Sequence, residues 1–381
     1  MYQKNLFNFV LPVTLSEISA NDNPYMKRLP ALGLSSLATL GSMIFFSAQA
    51  AILIGNTAGN NIVELDENTG SFLGEFIAPF DDFESPDTLA YGPDGNLYVT
   101  SGTTRDTSAV YRFNSQTGEL IDRFATGSGL FRPYGLAFGP DGLLYVSSFL
   151  SDQILRYDSI TGSFVDVFAR RDGTNEGLNG PNGLLFGPDG KLYVTTQGSV
   201  ADSDGNLTFA FDSQVLRYDI TTGESEVFIP QPTPFPSSFG FVSFLGLATG
   251  PEDGDLYVSD FANGIRRYDF LTGREIDVFD TNYTQTIPSN NFIGSLAFGP
   301  QSDLYTVGFD VSTTVGSLLS FDTSTGSRTL VASNSSALNR PIGLLFNAFP
   351  KSASVPEPGV ISGLLAVGLM GIGFRHRHKK C

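Results

Sequence analysis

The chain has 381 residues with 33 phenylalanines, 14 tyrosines and 42 glycines but no tryptophan, and its single cysteine, Cys381, is the last residue, so no disulfide forms within it. Between residues 51 and 350 fourteen basic side chains face thirty-six acidic ones, a body charge of about −22 that excludes nucleic acid and anionic membrane as partners. No sustained helical period runs through that body, so an all-β protein is expected.

Residues 26–50 begin with Lys27 and Arg28, continue as an apolar stretch from Leu29 to Phe46 and end on Ala48-Gln49-Ala50. This is the tripartite pattern of a secretory signal peptide and is set aside from the fold. Residues 1–25 lack such a pattern and read as an N-terminal extension, with Met1 and Met26 both open as the start.

The segment from Ala51 predicts three strands (Ile52 to Ile54, Ile62 to Leu65, Phe72 to Phe76) with no inner strand before them. Gly-Pro pairs then recur at Gly92, Gly139, Gly187, Gly250 and Gly299, at intervals of 47, 48, 63 and 49 residues. That period suits propeller blades. Each pair precedes a strand of one type: Leu97-Tyr98-Val99, Leu144-Tyr145-Val146, Leu192-Tyr193-Val194, Leu256-Tyr257-Val258, Leu304-Tyr305-Thr306. Asp-Gly and Thr-Gly turns supply the left-handed backbone that hairpins between twisted strands need. Six Thr-Gly turns stand against five Gly-Pro marks. The missing inner strand is supplied by Arg340-Pro-Ile-Gly-Leu-Leu-Phe346, which repeats Arg132-Pro-Tyr-Gly-Leu-Ala-Phe138. The expectation is a six-bladed β-propeller of four-stranded blades over residues 51–349, closed by pairing strands of about 51–77 with an inner strand of about 340–349, which leaves no open edge. The long third interval holds an insertion around Ser199 to Ser213 and a proline-rich run from Pro230 to Pro236, both read as surface loops.

Residues 350–358 form a linker. The end of the chain, 356–381, carries Pro356-Glu357-Pro358, a glycine-rich apolar segment (359–374) and a basic cluster (375–380). The apolar segment is short for a permanent span and suits a transient transmembrane helix, with the basic end cytoplasmic and the body outside. The combination closely resembles the PEP-CTERM sorting signal of Gram-negative bacteria and cyanobacteria. The resemblance implies brief anchoring in the inner membrane, removal of the tail by an exosortase, and delivery to the cell surface or extracellular matrix, with exopolysaccharide or envelope proteins as partners.

The body repeat, Pro-x-Gly-Leu-x-Phe-Gly-Pro-Asp-Gly-x-Leu-Tyr-Val, resembles NHL repeats and, more loosely, the gluconolactonase or senescence-marker-like propellers. The latter resemblance implies a divalent ion in the central channel, held by oxygens near the start of the innermost strands. Pro181-Asn182-Gly183 matches that family's Pro-Asn-Gly, Glu84-Ser85-Pro86 weakly resembles its Glu-Gly-Pro, and Asp87 follows. Glu84, Asp87 and Asn182 are therefore candidate Ca²⁺ ligands, an oxygen set that suits a hard cation. The equivalent positions elsewhere read Tyr134, Leu245, Ile293 and Ile342, and the Pro-Asp-Gly of a later blade is missing. No histidine precedes residue 376, so a histidine-based lyase or hydrolase is excluded. Asp202-Ser-Asp-Gly-Asn206 is a second loop in which Asp202, Asp204 and Asn206 are metal candidates; the alternative is a hairpin tip. The repeated Tyr-Asp pairs read as a packing aromatic followed by a turn-initiating aspartate.

Whatever repeats in every blade serves packing, and whatever breaks the repeat is left for function. Asp87, Tyr134 and Asn182 are the candidate ligand contacts at the channel mouth, and no catalytic residue is assigned. The expected function is an exported, non-catalytic binding or structural propeller. The alternative is a Ca²⁺-dependent lactonase-like hydrolase using the same channel.

Overall fold

The alternating runs form six four-stranded antiparallel sheets, and a two-stranded hairpin stands apart from them. The computed structural model describes residues 51–347. The expected N-terminal extension, signal peptide, linker and sorting signal lie outside the described residues. No helix among the described residues is long and apolar enough to cross a membrane.

The innermost strands are Leu89–Tyr91, Pro133–Phe138, Pro181–Phe186, Phe244–Thr249, Asn291–Phe298 and Pro341–Phe346, and each meets the next around a ring. Numbering the blades 1 to 6 in that order, blade 6 unites the two ends of the ring. Pro341–Phe346 pairs with Ala51–Asn56, Leu53 opposite Leu345 and Ile54 opposite Leu344. The predicted closure is what the structure has.

The repeated residues have structural duties. The tyrosine of Leu-Tyr-Val donates its hydroxyl to the aspartate of the preceding turn, Tyr145 to Asp141 at 2.8 Å and Tyr257 to Asp253 at 2.7 Å. Its ring packs between blades: Tyr98 lies edge-on to Phe124 of its own blade and Phe138 of the next. Asp66, Asn114, Asp158, Asp219, Asp269 and Asp322 each accept the backbone N–H of the turn threonine three residues on, so the Tyr-Asp pairs start turns as expected. A hydroxyl one place beyond Leu-Tyr-Val ties each of blades 1 to 3 to the next: Thr100 donates to the Tyr134 carbonyl (2.7 Å), Ser147 to that of Asn182 (2.7 Å) and Thr195 to that of Leu245 (2.5 Å). Close approach at the axis also explains the inner-strand glycine. A Cβ on Gly135 would overlap the Asn182 carbonyl, and one on Gly343 that of Asp87.

One reading of the third blade changes and one holds. The insertion forms the hairpin Ser199–Ala201 with Leu207–Phe209. The proline-rich run is a loop but is pinned from below by Arg266, which is only 2% exposed. Its guanidinium donates to the Thr233 carbonyl (2.9 Å), stacks over Phe235 (4.3 Å) and pairs with Asp260 (3.1 Å) and Glu275 (2.8 Å).

A second correction concerns blade 5. Leu296 lies opposite Thr306 and Ile293 opposite Gly308, as Leu136 lies opposite Val146 and Pro133 opposite Ser148. Gly294, not Ile293, therefore holds the channel position. Ile-Gly-Ser-Leu has one residue more between glycine and leucine than Tyr-Gly-Leu, so matching glycines misplaces the strand by one. Ile293 is buried with Tyr257, Ile265 and Leu304.

Candidate ligand site at the channel mouth

The register aligns one position at or near the start of each inner strand, giving Asp87, Tyr134, Asn182, Leu245, Gly294 and Ile342 around the ring. At these positions blades 1 to 3 are polar and blades 4 to 6 are not, and Thr57, Ser243 and Arg340 bring polar groups to the second side. All but Gly294 line a cavity of about 210 Å³. It is also walled by Thr57, Ser85, Arg132, Gln197, Phe209, Phe241, Ser243, Phe261 and Arg340. A second hollow, walled by Phe211, Gln231 and Pro234, shares Gln197, Phe209, Phe241 and Ser243 with it and continues outward between the blade 3 hairpin and the loop that Arg266 pins.

Asp87, Tyr134 and Asn182, singled out from the sequence, share this cavity, while Glu84 is not among its walls. The Glu84 carboxylate accepts hydroxyl hydrogen bonds from Thr103 (2.5 Å) and Thr107 (2.9 Å), and the Thr103 bond chiefly holds its pKa below the ordinary value. Asp202 accepts from the backbone of Asp204 and Asn206 and from the Asn206 amide, each at 2.9 Å, which makes the loop a self-satisfied hairpin tip. No group of three or more His, Cys, Asp or Glu side chains gathers among the described residues.

Two cavity residues escaped the sequence reading as site residues: Arg132 and Arg340. Both precede a proline and both are left-handed, with φ of 51° and 49°. Such backbone is costly for a side chain with a Cβ, and strain of this kind collects at functional sites. Arg132 donates Nε–H to the Tyr134 hydroxyl at 2.9 Å, and Arg340 reaches the Thr57 hydroxyl with Nη1 at 3.4 Å while lying over Phe309. Neither forms an ion pair within 4.0 Å among the described residues, in contrast to Arg112, Arg156, Arg217 and Arg267 on the blade surfaces. The repeated Arg-Pro-x-Gly-Leu-x-Phe was the available signal.

Asp87 is 6% exposed, and among the described residues its carboxylate accepts no hydrogen bond. Burial pushes its pKa up to about 7, opposed by the charges of Arg132 and Arg340. Burial also raises that of Tyr134, which stays a neutral phenol. Asn182 is 6% exposed and offers its amide to the cavity. This donor set does not fit Ca²⁺: it brings one carboxylate and one amide, and two guanidinium groups repel a divalent cation.

No family model matches the chain, and no curated protein sequence matches it. Solved structures do resemble it. A chain of a nidogen/laminin complex is 16% identical, with 80% of this chain and 100% of that one covered and a TM-score of 0.56. A protein of unknown function from Bacteroides caccae is 13% identical, with 78% and 98% covered and a TM-score of 0.55. Virginiamycin B lyase from Staphylococcus aureus is 15% identical, with 79% and 88% covered and a TM-score of 0.51. At these identities the likeness is one of fold, the six-bladed propeller.

Proposed function

We propose that the chain is an exported, non-catalytic binding propeller, sorted to the cell surface or exopolysaccharide matrix, whose channel mouth takes a segment of glycan. The observation that carries the reading is the divided cavity. One arc presents an amide, a phenol and a carboxyl group, and the other presents Leu245 and Ile342 beside the rings of Phe241 and Phe261. A sugar has the same two characters, hydroxyl edges that need hydrogen bonds and C–H faces that lie against apolar walls. About 210 Å³ is room for about seven waters, or one sugar ring in their place.

Titration calorimetry of the full chain against oligosaccharides released from the exopolysaccharide tests the reading. Asn182→Ala is expected to weaken binding at least about tenfold, the worth of one or two lost hydrogen bonds to a buried ligand, with an unchanged melting temperature. Binding indifferent to Asn182 removes the channel mouth from the function. For sorting, mass spectrometry of the surface fraction is expected to find chains lacking 359–381, and intact chains there contradict it.

A hydrolytic reading keeps one observation in its favour, since a buried carboxyl with a pKa of about 7 facing a cavity is poised as a general base. Lactone turnover lost in Asp87→Asn, with a pH-rate limb near 7, would favour it over binding alone.

A further inference from the structure

We infer that the channel mouth is specific for an acidic sugar, a hexuronate whose carboxylate is held between the guanidinium groups of Arg132 and Arg340. This deepens the glycan reading and rests on it.

The inference starts from a local reversal of charge. The body is strongly acidic, yet the axis carries two partly buried arginines and one carboxyl group. A partly buried cation without a counter-ion is unfavourable, and proteins rarely leave one unpaired. Each guanidinium is held at one edge only, Arg132 through Nε and Arg340 through Nη1. Among the described residues the Nη groups of Arg132 and the Nε and Nη2 groups of Arg340 have no protein acceptor. A guanidinium presents a planar fork of N–H groups that matches a carboxylate in the two-bond mode. The strained backbone that places each arginine at the mouth has no packing duty that a glycine would not fill, as Gly180 (φ 66°) does before Pro181 in blade 3. The rest of a hexuronate suits the remaining walls: hydroxyls for Asn182, Gln197 and Ser243, and a ring face for Phe241.

Asp87 sets the pH dependence. The titratable or charged groups around it are Arg132, Arg340 and Tyr134, and no other enters its electrostatics. An ionised Asp87 competes with the ligand's carboxylate for the arginines, and a protonated one does not. Binding therefore takes up a proton above neutral pH. If only the protonated form binds, affinity rises up to about tenfold from pH 8 to pH 6, following the competent fraction.

The experiment is titration calorimetry of the full chain with glucuronate, tetragalacturonate and glucose at pH 6 and 8, in buffers of different ionisation enthalpy. The expected result is that both acids bind, glucose binds at least tenfold more weakly, and proton uptake appears at pH 8. The tighter of the two acids distinguishes a free acid from a glycan chain as the source. Arg132→Gln and Arg340→Gln are each expected to lower uronate affinity at least tenfold and to remove the preference over glucose. Arg132→Lys keeps the charge but loses the fork and should retain only part of the affinity, and melting temperatures confirm that all three fold. Asp87→Asn is expected to flatten the pH profile and abolish proton uptake. If glucose and glucuronate bind alike and the arginine variants change neither, the acidic-sugar inference is overturned while the glycan site stands. If no sugar binds, including the released oligosaccharides, both readings fall together.

Discussion

Asp87 couples a cost in stability to the proposed site. Its ordinary pKa of 3.8 rises to about 7 in the fold, so between those values the folded chain holds a proton that the unfolded chain has released. Stability contributed by this group therefore falls as pH rises from 4 through 7, and the whole cost is present above 7, on the order of 4 kcal/mol for the full shift. Asp87→Asn keeps the shape and removes the charge. Urea denaturation is expected to find the variant more stable than the parent at pH 8 by up to about 4 kcal/mol, with the gap closing toward pH 4. An equal gap at both values would mean that burial of the charge is not the cause. A costly carboxyl at the axis, where any apolar residue would pack, argues that binding and not folding maintains it.

At the scale of elements, the aromatic wall depends on a buried ion pair. Asp260 is fully buried, Arg266 almost so, and the same guanidinium anchors Thr233 and Phe235 of the loop that leads to Phe241. Arg266→Met strands the Asp260 carboxylate and is expected to cost about 3–5 kcal/mol, most of it recovered when Asp260→Asn is added. A double-mutant cycle without coupling would refute the pairing, and ligand affinity should fall in both variants because the loop loses its anchor. This loop also marks where the sequence stops being informative. The blades were legible because Gly-Pro, Leu-Tyr-Val and Thr-Gly recur at a fixed period, and each answers to a turn or a blade contact. Asp87, Tyr134 and Asn182 were legible because they interrupt that recurrence at the channel position. Arg132 and Arg340 were visible but counted as repeat, since a motif occurring twice looks structural until its side chains are placed. Phe209, Phe241 and Phe261 left no signal, because they reach the cavity from segments whose course depends on tertiary anchors such as Arg266. Blade 5 hides its register from a glycine alignment because its glycine sits one residue earlier in the bulge that blades 2 to 5 share.

At the scale of the whole molecule, the ring closes through contacts between residues nearly three hundred positions apart, Ala51–Asn56 against Pro341–Phe346. Such closure covers the two blade faces that an open array of six sheets would expose, and it also sets the shape of the channel, since blade 6 meets blade 1 at Asp87. Gly343 is the point of closest approach. Its φ is not left-handed, so any residue could adopt its backbone, but a Cβ there would sit on the Asp87 carbonyl and within 2.6 Å of the Leu89 side chain. Gly142 is the converse: its φ is 79°, and a methyl group added at this hairpin tip would have nothing within 4 Å of it. Gly142→Ala is expected to cost about 1 kcal/mol, the strain of a left-handed alanine. Gly343→Ala should cost at least about 3 kcal/mol, because two backbones must separate to admit the methyl group. Urea denaturation of the two variants decides between them, with size-exclusion chromatography to detect chains that associate through a parted seam. Equal costs would mean that blades 6 and 1 yield easily. A larger cost at Gly343, together with lost uronate binding, would show that ring closure holds the Asp87 arm of the site in place.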